Sequence, residues 1–234
     1  MSAAQIKSAL KVLADPRQAE QLQRFFKTGP GQYGHGDRFL GIKVPQLRQL
    51  AKQHLDLDLN QAAKLLTTKI HEQRLVALLI LTYQYPRLER AAQEAIYRFY
   101  LAHTTWINNW DLVDLSAPKI VGAHLLDADK AVLCDLAKSQ SLWERRIAII
   151  ATMYFIYHGH FTDTLQLSSI LLLDAHDLIH KAVGWMLREV GKRDQKVLEE
   201  FLLDNYRRMP RTMLRYAIER LPEPRRQQYL KGHI

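Results

Sequence analysis

Short apolar segments with one polar residue at the entrance recur along this chain. They read "EQRLVALLIL" around Arg74, "NWDLVDLSAP" around Asp111, "ERRIAIIATM" around Arg146, "IHKAVGWML" around Lys181 and "MLRYAIERL" around Arg215. Successive entrances lie 34 to 37 residues apart. The periodicity is helical nearly throughout. No alternating strand pattern runs beyond a few residues, and no hairpin dipeptide separates two apolar runs. A period of about 35 to 40 residues is that of paired-helix solenoids, in which one helix of each pair lines a curved inner face. The chain is therefore expected to be all-α. The entrance residue is basic in four units and acidic in one, so the inner face is expected to be basic with carboxylates in its middle.

Prolines punctuate the pattern, as expected of a residue without an N–H at a helix start. Pro16, Pro45 and Pro86 are read as opening helices, and Pro118, Pro210 and Pro222 as marking similar boundaries. Asp163, Asp174 and Asp194 are expected to be N-caps or pre-helix turn residues. This gives roughly a dozen helices with short connections. No composition shift or Gly/Ser linker divides residues 1–234, which are read as one domain.

One stretch is irregular. Residues 27–45, "KTGPGQYGHGDRFLGIKVP", hold five of the ten glycines. Gly29 to Gly34 fit G-x-G-x-x-G only formally. A dinucleotide fingerprint needs a strand before it and a helix opening within it, whereas here a helix precedes and the next helix starts far downstream. The expectation is an ordered loop with several positive-φ positions. Its N–H groups, with Lys27, Arg38 and Lys43 nearby, are in reach of a phosphate.

Charge narrows the partner. Lys and Arg number 33 against 24 Asp and Glu, for a net charge of +9, and the pI is about 9.6. Such an excess points to an anionic partner, most often nucleic acid. A hydrophobic content of 47% argues against disorder. The single cysteine, Cys134, excludes an internal disulfide framework and a cysteine-based zinc site. The start "MSAAQIKSAL" has no signal-peptide core, and the longest apolar runs fall short of the about 18 residues that span a bilayer. The expectation is a cytoplasmic, monomeric protein without membrane association, metal or small-molecule cofactor. His176 and His180, four apart, lack the glutamate and third ligand of a zinc site, and His158 and His160 flank Gly159 at a helix end. Both pairs are read as structural.

The acidic unit carries the candidate chemistry. Trp110 and Asp114 are four apart and share a helix face, and Asp111 lies three residues before Asp114. An indole beside a carboxylate suits chemistry on a developing sugar cation. The plainer alternative is a core tryptophan with Asp111 as a cap and Asp114 at a polar edge. Arg145 and Arg146 occupy the equivalent position of the next unit, and Trp185 and Arg188 share a face of the one after. If these helices stack side by side, Trp110, Asp114, Arg146, Trp185 and Arg188 converge on one concave patch.

Four strings in order, "FLGIKVPQLR" (39–48), "NWDLVD" (109–114), "LWERRIAII" (142–150) and "KAVGWMLREVGK" (181–192), resemble the bacterial DNA alkylation repair family of HEAT-like-repeat DNA glycosylases. The resemblance runs from about Phe25 to about Arg220. It implies a HEAT-like solenoid, an α-α superhelix with a concave basic face. It also implies excision of cationic alkylated purines, such as 7-alkylguanine and 3-alkyladenine, from duplex DNA. Trp110, Asp114 and Trp185 match the catalytic cleft, with Asp111 an alternative to Asp114. Arg146 and Arg188 match contacts to the DNA backbone, with Phe25, Lys27 and Lys43 as further DNA-facing candidates. Phe25 stands where some members have a tyrosine, so one hydroxyl contact is missing. The glycine loop is longer than in some members. Two rival readings are a non-catalytic HEAT-repeat protein that binds DNA structures and a HEAT-type protein-interaction scaffold.

Overall fold

In the computed structural model residues 2–234 are described, and among them fifteen α-helices and no β-strand occur. The one strand-like contact is an isolated parallel bridge between Arg38 and Ile70. Contacts divide the chain into two compact units, residues 1–120 and 121–234.

The first unit holds α1 (Ala3–Val12), α2 (Pro16–Phe25), α3 (Val44–Lys52), α4 (Leu59–Leu66), α5 (His71–Gln84), α6 (Arg90–Ala102) and α7 (Trp110–Ala117). α3 and α4 pack on α5, which in turn packs on α7. Every residue of α5 from His71 to Thr82 is buried. A helix apolar on all sides, as "LVALLIL" is, has no solvent face to offer and becomes the centre of its unit.

The second unit holds α8 (Ala123–Leu125), α9 (Ala131–Ala137), α10 (Leu142–Tyr157), α11 (Thr162–Ile170), α12 (Asp177–Gly191), α13 (Gln195–Asn205), α14 (Arg211–Ala217) and α15 (Glu223–Lys231). α9 and α11 cover α10, while α10, α12 and α14 stack in that order. Gly184 permits the last contact: a Cβ there would lie 2.5 Å from the Met213 carbonyl oxygen and 2.5 Å from Tyr216 Cβ. The five recurrent strings thus fall on α5, α7, α10, α12 and α14, a helical-repeat arrangement in which each covers apolar surface of the next within its unit.

The helix boundaries follow local chemistry. Pro16 opens α2, and the Asp15 carboxylate accepts from the N–H groups of Arg17 and Gln18. Asp194 caps α13 in the same way. Two expectations, for Pro86 and Asp163, need correction. Pro86 does not open α6; it sits in a 3-10 turn, Tyr85–Arg87, and α6 starts at Arg90. Without an N–H, Pro86 cannot continue the α5 ladder, and the chain tightens for one turn before restarting. Pro118 does mark a boundary: it ends α7 and begins a short π-helix, Pro118–Gly122. Asp163 lies inside the first turn of α11 rather than before it, where a carboxylate still suits the helix dipole.

Candidate nucleic-acid site

The glycine loop is ordered, with Gly31, Gly36 and Gly41 at positive φ. Gly41, at φ +86°, is where only glycine fits, because a Cβ would meet the Asp15 carbonyl oxygen at 2.0 Å. The loop's N–H groups are not all available to a phosphate. Those of Leu40, Gly41 and Ile42 donate to the buried Glu72 carboxylate at 2.8 to 3.3 Å. A carboxylate from α5 thus occupies the anion-binding curl that the loop makes. The cations around it remain exposed: Lys27, Arg38, Lys43 and Arg48 all face solvent.

Beneath the loop lies a buried ionic cluster that no sequence motif announces. His71 opens α5, with Nε2 2.7 Å from Asp111 Oδ2 and Nδ1 3.3 Å from Asp37 Oδ2. Arg74, 1% exposed, pairs with Asp37 at 2.6 Å. It also donates to the Trp106 carbonyl at 3.3 Å and to the Asn108 side chain. Asn109 donates to Asp37 at 3.4 Å and accepts from the Trp110 N–H at 2.9 Å, which caps α7. Burial opposes charging of His71, but Asp111 and then Asp37 outweigh it, raising the imidazole to about 9. Asp37 is held below the usual carboxylate range: burial acts against this, and the His71 and Arg74 bonds overcome it.

Asp111 is therefore neither a helix cap nor a spare carboxylate for chemistry. It is 7% exposed and ion-paired, while Asn109 does the capping. Asp114, one turn on, is half-buried, and its charge helps burial to hold the Tyr100 phenol protonated. Trp110 is also half-buried. It stacks on Phe26 at 5.2 Å between ring centres and meets Phe25 edge-on at 6.0 Å. Phe26 stacks in turn on Phe39 at 4.9 Å, and Phe39 on His71 at 4.5 Å. Phe25 is 63% exposed, a ring left in water beside a tryptophan and next to the exposed Lys27.

In the second unit Arg146 is corrected. It is read from the sequence as an exposed phosphate contact, yet it is 5% exposed and donates to the Leu178 carbonyl at 2.5 Å. Arg74 makes the matching bond to the Trp106 carbonyl. The arginine at the entrance of one repeat helix thus ties down the chain at the start of the next. These two repeat cations are structural staples, and the expected basic lining does not include them. Lys181 pairs with Asp177 at 2.7 Å, and Arg215 is exposed. Trp185 is half-buried on α12, and Arg188 on the same helix pairs with Glu219 and, at 3.7 Å, with Glu189. Trp110 and Asp114 thus share one face of the first unit, while Arg146, Trp185 and Arg188 belong to the second.

The histidine pairs have local partners. His176 caps α12 by accepting the Leu178 N–H at 3.1 Å, and His180 donates to the Asp174 carbonyl. His158 bonds to the Tyr154 carbonyl at the end of α10. Among the described residues no helix is long and apolar enough to cross a membrane.

Comparison with known proteins places this arrangement. In the solved structures, a predicted DNA alkylation repair enzyme from Enterococcus faecalis superposes with a TM-score of 0.70 at 18% identity, over 90% of this chain and 97% of that one. A Streptococcus mutans UA159 protein gives 0.50 at 15% identity, over 92% of this chain and 95% of that one. Such identities speak for the fold. No curated protein matches the chain. The family model described as DNA alkylation repair enzyme matches residues 6–221. The chain belongs to the DNA alkylation repair enzyme family, which gives it a role in the repair of alkylation damage with DNA as its partner.

Proposed function

We propose that this protein is a DNA glycosylase of HEAT-like-repeat architecture. It releases cationic alkylated purines, 7-alkylguanine and 3-alkyladenine, from duplex DNA as a monomer and without a cofactor. Alkylation at a ring nitrogen makes the base cationic and a good leaving group, so no general acid is needed. Cleavage of the glycosidic bond passes through an oxocarbenium-like state at the sugar, as in glycoside hydrolysis. A single carboxylate beside that sugar stabilises the developing charge and orients the attacking water.

The observation that carries this reading is the pairing of Asp114 with Trp110 on α7. Both are half-buried on a helix whose other carboxylate is already bound to His71. Asp114 lies one helical turn from an indole that offers a flat apolar face to deoxyribose. By the family resemblance, Trp185 on α12 of the second unit is assigned a part in the chemistry. Exposed Lys27 and Lys43 suit backbone phosphates, which charged side chains neutralise irrespective of sequence. Phe25 suits a stacking or sugar contact. Arg188 serves as a phosphate contact only by exchanging Glu219 for DNA.

The test is incubation with a duplex carrying 7-methylguanine, followed by chromatography of the released base. Free 7-methylguanine is expected, with no cleavage of unmodified duplex. Tight binding without base release contradicts the glycosylase assignment and favours a non-catalytic DNA-structure binder.

A further inference from the structure

The His71 cluster joins parts of the first unit that are distant in sequence. Its members come from three separate segments: Asp37 from the glycine loop, His71 and Arg74 from α5, and Asn109 and Asp111 from the start of α7. All five are buried. Both ring nitrogens of His71 face carboxylate oxygens, which only accept hydrogen bonds. A neutral imidazole has one donor and would set a lone pair against one of them. With the ring protonated, two cations meet two anions and the buried cluster is neutral. Without that proton it holds an uncompensated negative charge, a costly state in a dry interior.

The start of α7 depends on this cluster. Asp111 borders a cavity of about 340 Å³ whose walls are the apolar side chains of Phe26, Phe39, Ile42, Leu47 and Leu75. On that side the start of the helix is held by the His71 bond and by the stack of Trp110 on Phe26. The same ring reaches Trp110 a second way, through Phe39 and Phe26. Other charged groups around the ring are Glu72, whose carboxylate is taken by loop N–H groups, and Lys43 on the cavity's lining.

We propose that His71 is a positioning residue: held as an imidazolium between Asp37 and Asp111, it locks the glycine loop, α5 and α7 together and fixes the orientation from which Trp110 and Asp114 act. The catalytic part of this rests on the glycosylase reading above; the clasp itself does not. A misplacement of about 1 Å at such a site costs about 10²-fold in rate. His71→Gln supplies one donor group where two carboxylates wait, so the clasp loosens without leaving a void. Asp111→Asn removes the need for the proton, since a neutral His71 then donates to Asp37 and accepts from the new amide.

Two measurements test this together. The first is the single-turnover rate of 7-methylguanine release from pH 6 to 10. Wild type should lose rate as pH rises through about 9. His71→Gln should be slower by about 10²-fold at neutral pH with no such alkaline limb, and its duplex affinity should stay close to wild type. Asp111→Asn should keep most of the rate and also lack the limb. An alkaline limb that persists unchanged in both variants overturns the proposal. The second needs no activity: the His71 ring is titrated by NMR in wild type while the tryptophan emission is followed, with the conservative Trp110→Phe variant assigning the Trp110 part. The two should move together near pH 9. Emission from Trp110 that ignores the ring's titration overturns the clasp, whether or not the protein releases base.

Discussion

Arg74 and Arg146 stand at equivalent points of the repeat, and both are buried, yet they are held differently. Arg146 faces a carbonyl, Leu178, across to the next repeat helix. Arg74 makes the same kind of bond to Trp106 and adds an ion pair with Asp37, which in turn grips His71 and Asn109. In the second unit the repeat arginine ties down the start of the next repeat helix. In the first, the staple has become the base of an ionic cluster that reaches the helix carrying the candidate chemistry. A periodic arginine therefore reports the repeat. Function is reported by what departs from the period: the acidic unit, the glycine loop and a histidine at a helix entrance.

This difference predicts an ordered set of effects. Arg74→Ala leaves Asp37 and Asp111 facing each other across one imidazolium, and breaking a buried pair in this way costs about 3–5 kcal/mol. Urea unfolding should show it. Arg146→Ala removes the charge-assisted bond to the Leu178 carbonyl, which alone contributes about 1.5–3 kcal/mol, and should leave the salt dependence of DNA binding unchanged. A loss of about one from the salt slope for Arg146→Ala would return that residue to the DNA face and break the comparison.

pH sharpens the same contrast. The folded-state value of His71 lies near 9, above the ordinary value of 6.5. Its contribution to stability is therefore complete below about 6.5 and is lost as pH rises to about 9. Thermal melts should show a fall across that window, on the order of a few kcal/mol, which His71→Gln removes. Smallest are the exposed cations. Lys27→Ala and Lys43→Ala should each lower the salt slope of duplex binding by about one, with stability unchanged within about 0.5 kcal/mol.

Much of the fold was legible in the sequence because the apolar spacing and the prolines are local signals. The recurrent strings fall on α5, α7, α10, α12 and α14, and Pro16 and Pro45 sit in the first turns of α2 and α3. Pro86 misled because a proline at a helix end is also met by a 3-10 turn. The pairing of Trp110 with Asp114 was readable from helix period alone. The roles of Asp111 and Arg146 were not, since an entrance residue looks the same whether it meets solvent or a carbonyl of the next repeat. His71 left one trace, its place immediately before the first repeat string, but its partners lie 34 and 40 residues away. Such a cluster exists only once the chain has folded.

The central claim is that the Asp114 carboxylate drives base release, and it is tested most directly by Asp114→Asn. This change keeps the side-chain shape and removes the charge that stabilises an oxocarbenium-like state. Single-turnover release of 7-methylguanine from duplex DNA should fall by about 10²–10³-fold, while duplex affinity holds or rises slightly. Trp110→Ala and Trp185→Ala should give intermediate losses. Release at the wild-type rate by Asp114→Asn would contradict the mechanism.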